Sequence, residues 1–166
     1  RESFGGTWDL FKYPGIRSDS DMHTLGYSFK PWVHKKSIAN APAIMEYLEE
    51  TIDEYELHPH IRYNHHVETA NWSPKEGKWI VSVTDKVNNK EIIFKGKLLY
   101  MCSGYYKYAH GYEPKFEGSE NFQGQIVHPQ KWSDDVEYEN KEVVVIGSGA
   151  TAATLVPELA KKTKHT

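Results

Sequence analysis

The sequence predicts an α/β fold that includes a small antiparallel β meander. Three observations predict it. An apolar run, Val143-Val144-Val145-Ile146, leads straight into a glycine-rich turn and then a helical pattern. Residues 78–84 alternate in the manner of a half-buried strand and return after an Asn88-Asn89 turn. Between Asn40 and Tyr55, apolar residues recur at helical spacing.

Residues 1–36 carry Gly5-Gly6, Tyr13-Pro14-Gly15 and Lys30-Pro31-Trp32, and read as ordered loop. A helix follows, with Asn40 as its cap, Pro42 in its first turn and Ile44, Leu48, Ile52 and Tyr55 as its apolar stripe. Glu46, Glu49, Glu50, Asp53 and Glu54 form its solvated face. The β section comprises residues 61–69, then 78–84, with Trp79, Val81 and Val83 on one face, then 91–94. Leu98–Cys102 is a continuous apolar run ending at Ser103-Gly104, the pattern of a buried parallel strand. Residues 105–140 form an aromatic linker punctuated by Pro and Gly. Residues 142–146 predict a second buried strand, and the helix after it runs to about Lys161, with Pro157 removing one of its hydrogen bonds.

The chain has 166 residues and a net charge of −3, which gives no electrostatic footprint for nucleic acid or an anionic membrane. No apolar run reaches the roughly 18 residues of a membrane-spanning helix. The lone Cys102 excludes an intramolecular disulfide and fits a reducing cytoplasm. His58, His60, His65 and His66 do not make a metal site: His65 and His66 are adjacent on a predicted strand and so face opposite ways, and no cysteine or HExxH spacing accompanies them. Cys102, ending an apolar strand, reads as a buried core thiol.

The strongest physical signal is Gly147-Ser148-Gly149-Ala150-Thr151-Ala152, a G-x-G-x-x-A loop between strand and helix. Gly147 allows the tight turn, Gly149 lets backbone approach a pyrophosphate, and Ala152 lets helix pack close to strand. The helix start offers free N–H groups and the positive end of a dipole to the anion. The loop alone does not distinguish NAD from NADP, because the discriminating residue lies further along, beyond Thr166.

Two further segments carry a family resemblance. Gly5-Gly6-Thr7-Trp8, Tyr13-Pro14-Gly15 and Arg17-Ser18-Asp19 resemble the GGTW…YPG…R-x-D stretch of flavin-containing and Baeyer–Villiger monooxygenases. Phe122, Gly124, His128 and Trp132 match the F-x-G-x-x-x-H-x-x-x-W fingerprint of the Baeyer–Villiger group. Ser133 stands where that family usually has Pro or Asp, and Asp134 follows. The motifs occur in the family's order. Within the family, the runs 5–32 and 143–157 are most similar to the ethionamide-activating monooxygenase group.

The resemblance implies part of a two-dinucleotide-binding-domain, Rossmann-like flavoprotein. Residues 1–104 would be the later part of the FAD domain, 105–140 the interdomain linker and 141–166 the start of the NADPH domain. It implies that Gly5, Gly6, Thr7 and Trp8 lie along FAD, that Tyr13 and Pro14 shape the loop beside the flavin, and that Ser103-Gly104 joins the two domains. Gly147, Ser148, Gly149, Ala150, Thr151 and Ala152 would hold NADPH. Asp19 would sit near the flavin and orient a catalytic Arg expected beyond Thr166; a turn or helix-capping carboxylate is its structural alternative. His128 and Trp132 would act conformationally in the linker.

The implied activity is that of an FAD- and NADPH-dependent monooxygenase. Its peroxyflavin would insert one atom of O2 into a ketone, or oxidise sulfur or nitrogen in a thioether or amine. The resemblance also implies a preceding G-x-G-x-x-G before Arg1, so the chain reads as an internal segment, expected to be inactive alone and to hold flavin poorly. The rival readings are a pyridine-nucleotide-dependent flavin reductase without oxygen insertion, and a non-catalytic nucleotide-binding remnant.

Overall fold

In the computed structural model, which describes residues 1–166, two short helices come first, α1 (Thr7–Leu10) and α2 (Met22–Leu25), followed by the longer α3 (Ala41–Glu54). Three strands follow, β1 (His65–Ser73), β2 (Lys78–Asp85) and β3 (Lys90–Gly96), and then α4 (Ala150–Leu159). The chain divides into two units, Arg1–Phe4 with Glu56–Tyr106, and Gly5–Tyr55 with Lys107–Thr166.

The first unit is built on an antiparallel sheet of order β1-β2-β3. Register pairs Trp72 with Trp79, whose rings meet edge to face at 5.7 Å, and a bulge between Val67 and Thr69 interrupts the β1–β2 ladder. The first strand therefore lies a few residues later than the sequence pattern predicts. The β2–β3 turn is organised by Asp85, a buried residue whose carboxylate accepts from Val87 N (2.9 Å), Asn88 N (3.3 Å) and Asn88 Nδ2 (2.7 Å). Asn89 takes the left-handed conformation, φ 49°, that Asn tolerates better than most residues.

Residues 98–102 are not a strand. Leu98, Tyr100 and Met101 are exposed, and Cys102 is an exposed free thiol instead of a core one. A parallel strand exists only by pairing, and no segment lies alongside this one to accept its hydrogen bonds.

The second unit has two apolar clusters. Met22, Trp32, Ala39, Ile44 and Tyr47 form one, against which Trp8, Ala43 and Leu48 pack. Asn40 caps α3 as its spacing predicts, accepting from Ala43 N at 3.1 Å. The five acidic residues of α3 are exposed. Its buried face includes Tyr47 and Thr51, which the apolar pattern passes over. Both are admitted because their hydroxyls are bonded: Tyr47 donates to Lys30 O (2.6 Å) and accepts from Tyr27 N (2.8 Å), and Thr51 donates to Tyr47 O (2.6 Å).

Phe11, Tyr13, Leu155 and Leu159 form the other cluster, joined by Leu10, Ile16, Trp132, Tyr138, Val143 and Val145. Here the Tyr13-Pro14-Gly15 turn lies on α4. Gly15 has φ +78°, and a Cβ on it would stand 2.5 Å from the Thr154 carbonyl oxygen. The predicted buried strand at 142–146 does not form: only Glu142 is bridged, Val143 and Val145 face the cluster, and Val144 is 85 % and Ile146 72 % exposed. Its only ladder is to the residues after α4. Glu142 and His165 form a parallel bridge, with Asn140 N donating to Lys162 O, Lys164 N to Lys141 O and Val143 N to His165 O.

Two predictions follow from this packing. Gly118 shares a positive φ of +84° but meets nothing closer than 4.0 Å, so Gly118→Ala costs only the left-handed backbone, about 1 kcal/mol. Gly15→Ala adds a clash with backbone and loses about 1–3 kcal/mol more in denaturant titrations; equal losses at the two sites would contradict the packing. The second concerns pH. Hydrogen bonds from Asn88 hold the Asp85 carboxyl below its ordinary pKa, as the Thr84 hydroxyl does for Glu68. A depressed folded-state pKa stabilises above the unfolded value, and that stabilisation is lost as pH falls through the folded one. Protection factors of β2 and β3 amides, taken against the intrinsic exchange rate at each pH, should therefore fall on acidification below about pH 4, and Asp85→Asn should lower them at neutral pH while flattening that acid dependence.

Candidate nucleotide-binding site

The G-x-G-x-x-A loop leads directly into α4, although no strand immediately precedes it and its leading segment is not buried. Gly147 has φ +150°, and Gly149 is the residue preceding α4. Residues 147–150 are exposed, and Gly149 has no side chain to cap the first-turn N–H groups of α4. A Cβ at Gly149 would meet no atom within 4 Å, and its φ of −83° suits any residue. Protein packing thus places no demand for glycine at this position. Thr154, one turn on, is buried and donates to Thr151 O at 3.0 Å.

The Gly5-Gly6-Thr7-Trp8 stretch is the start of α1. Gly5 and Gly6 have φ +95° and +53°, which only glycine adopts freely. The Met45 thioether lies where a Gly5 Cβ would go, 2.2 Å from it, so protein atoms already press on this loop from one side. Thr7 Oγ1 and the Tyr108 hydroxyl are 3.0 Å apart. Trp8 is half-buried against the Met22 cluster.

Residues 16–18 pair with 39–41: Ser18 N donates to Ala39 O (2.8 Å), Ser18 Oγ accepts from Ala39 N (3.1 Å), and Ala41 N donates to Ile16 O (3.1 Å). Asp19 emerges from this pairing onto the surface. The helix-capping carboxylate in the region is Asp21, which accepts from Thr24 N and Thr24 Oγ1, both at 2.9 Å, and these bonds lower its pKa. Asp19 itself lies in the bend just before this cap.

Each fingerprint residue has a local physical role. The Phe122 ring covers Gly124, where a Cβ would lie 2.5 Å from Phe122 Cζ. His128 caps a 3₁₀ turn over Pro129–Lys131 through Nδ1, which accepts from Gln130 N at 3.2 Å. Its ring lies on Gly111, where a Cβ would be 2.1 Å from Cε1. Trp132 ends the turn and packs against the Tyr13 cluster, edge to face with Tyr138 at 5.6 Å. Ser133 donates to Asp135, lowering the Asp135 pKa.

The second unit thus brings together the residues around Gly5, the Tyr13-Pro14-Gly15 turn, His128, Trp132 and the Gly147 loop. Ser103 and Gly104 belong to the first unit, exposed, with Gly104 at φ +70°. Sequence reasoning passed over Tyr108, Gly111 and Met45, because each matters only through a contact made across a long stretch of chain. No group of three or more His, Cys, Asp or Glu is placed to hold a metal ion, and no helix is long and apolar enough to cross a membrane.

The chain is similar to known proteins over nearly its whole length. The chain is 54 % identical over 96 % of its length to the FAD-containing monooxygenase EthA of Mycolicibacterium smegmatis, and 50 % identical over 97 % to the probable FAD-binding monooxygenase AlmA of an Acinetobacter species. It spans 32 % of the length of each. Among solved structures, cyclohexanone monooxygenase from Rhodococcus sp. Phi1 bound to NADP+ superposes with a TM-score of 0.74 at 28 % identity, over 99 % of this chain and 30 % of that one. An oxidised steroid monooxygenase bound to NADP gives 0.76 at 29 % identity, over 98 % and 31 %. These likenesses carry the Rossmann-like flavoprotein fold expected from the motifs. The flavin-binding monooxygenase-like family profile matches residues 24–166, and the chain belongs to that family.

Proposed function

We propose that this chain is part of an FAD- and NADPH-dependent monooxygenase that inserts one atom of O2 into ketones or oxidises sulfur or nitrogen in small thioethers and amines. In this reading, residues 1–104 contribute to the FAD domain, 105–140 link the domains, and 141–166 begin the NADPH domain. The lone thiol of Cys102 fits a cytoplasmic setting.

The observation that carries the nucleotide part is Gly149. Its backbone is unstrained and no protein atom crowds its Cβ position, so the glycine keeps the approach to the α4 N-terminus open. Gly147, Ser148, Gly149, Ala150, Thr151 and Ala152 would hold the NADPH pyrophosphate with backbone N–H groups and the helix dipole. Gly5, Gly6, Thr7, Trp8, Tyr13 and Pro14 would line FAD, with Asp19 on the exposed rim and Ser103-Gly104 at the passage between domains. FAD, when bound, supplies the hydride acceptance and the activation of O2. The chain's own residues orient it and exclude water. His128 and Trp132 set the conformation of the linker: Nδ1 of His128 holds the turn that delivers Trp132 into the Tyr13 cluster.

The test uses the full-length parent enzyme with FAD, NADPH and ketone or thioether substrates. Ester, lactone or sulfoxide formed in step with NADPH consumption is the expected outcome. NADPH oxidation that yields only reduced acceptor would replace this reading with a reductase. Gly149→Val should raise KM for NADPH about tenfold or more while leaving FAD content unchanged. Gly111→Ala should displace the His128 ring, measured as faster amide exchange across residues 128–132; unchanged exchange there would remove Gly111 from the account.

A further inference from the structure

The Gly5–Trp8 loop meets the linker through Tyr108. Its hydroxyl is 3.0 Å from Thr7 Oγ1 and would stand 3.4 Å from a Cβ on Gly6. Its ring is fixed independently, edge to face against Phe11 with centroids 5.9 Å apart, and Phe11 is buried in the Tyr13 cluster. The hydroxyl is therefore aimed by a ring anchored in the core, and it meets the loop at Gly6 and Thr7. Gly6 has a left-handed φ, and Thr7 opens α1.

We propose that Tyr108 is a positioning residue for the flavin loop: its hydroxyl orients the Thr7 hydroxyl and so couples the linker to FAD binding. This rests on the functional reading above, in which Thr7 lies along FAD. Either hydroxyl can donate in this pair. With Tyr108 donating, the Thr7 proton is free for an acceptor on the cofactor, and the two bonds strengthen one another. A Thr7 hydroxyl without Tyr108 rotates freely and loses that preference. The contact joins residues 101 positions apart, so a shift of residues 107–112 is transmitted to the loop without any intervening element.

The experiment uses the full-length parent enzyme and compares wild type, Tyr108→Phe, Thr7→Val and the double variant. Tyr108→Phe keeps the ring on Phe11 and so keeps the fold, which circular dichroism and thermal melting verify. FAD affinity should fall about five- to tenfold in each single variant, the effect of one hydrogen bond. The visible flavin spectrum should shift alike in both. The double variant should bind FAD no more weakly than Thr7→Val alone, since the two hydroxyls act as a unit. A wild type that binds FAD beside a Tyr108→Phe that binds it equally well overturns this inference alone, as do additive losses in the double variant. A wild type that binds no FAD overturns the functional reading and this inference together.

Discussion

Phe11, Tyr13, Leu155 and Leu159 bury one another, and that contact holds the Tyr13 turn, Trp132 and α4 together. It joins chain segments from opposite ends of the sequence. The turn at Gly15 sits against the carbonyl of Thr154, so the face of α4 and the loop that follows α1 are fixed together. Trp132 enters the same cluster, bringing the fingerprint linker with it. Removing the cluster would separate α4 and the Gly147 loop from the Tyr13 turn and from the linker at Trp132. The hydrophobic effect is non-directional, but the glycine at the centre of this contact is directional, because only a residue without a Cβ admits the helix so closely.

The glycines fall into two physical kinds. At Gly15, Gly111 and Gly124, protein atoms occupy the place of a Cβ, and the residue serves internal packing. At Gly149 nothing of the protein does. A sequence motif cannot separate the two, since both read as G. Gly5 is of the first kind, but it has a left-handed backbone and a flexible Met45 side chain against it, one that can yield more readily than a carbonyl.

What could be read from the sequence was local. The α3 helix was legible because a cap and a periodic stripe are properties of neighbouring residues, and the β2–β3 hairpin because Asn88-Asn89 announces its turn. The family motifs were legible for the same reason. The apolar runs at 98–102 and 142–146 misled, because an apolar run specifies a wish for burial and not the partner that grants it. Thr51 and Tyr47 were hidden by the opposite effect: their polarity suggested the surface, and their hydrogen bonds permit the interior. Among site residues, those inside motifs were found, and those that support them from afar, Tyr108 and Gly111, were not.

The parallel ladder between residues 140–143 and 162–165 also bears on the order in which the second unit assembles. It closes a loop of roughly 20 residues, whereas bringing Tyr13 onto Leu159 closes one of roughly 145, and loop-closure entropy separates the two by about 2 kcal/mol. The bridged segments on either side of α4 therefore have the head start kinetically, and the amino-terminal loop docks onto a helix already in place. In synthesis from the ribosome the order of appearance is the reverse: Phe11 and Tyr13 emerge long before the surface that will bury them, and remain exposed apolar groups until α4 arrives.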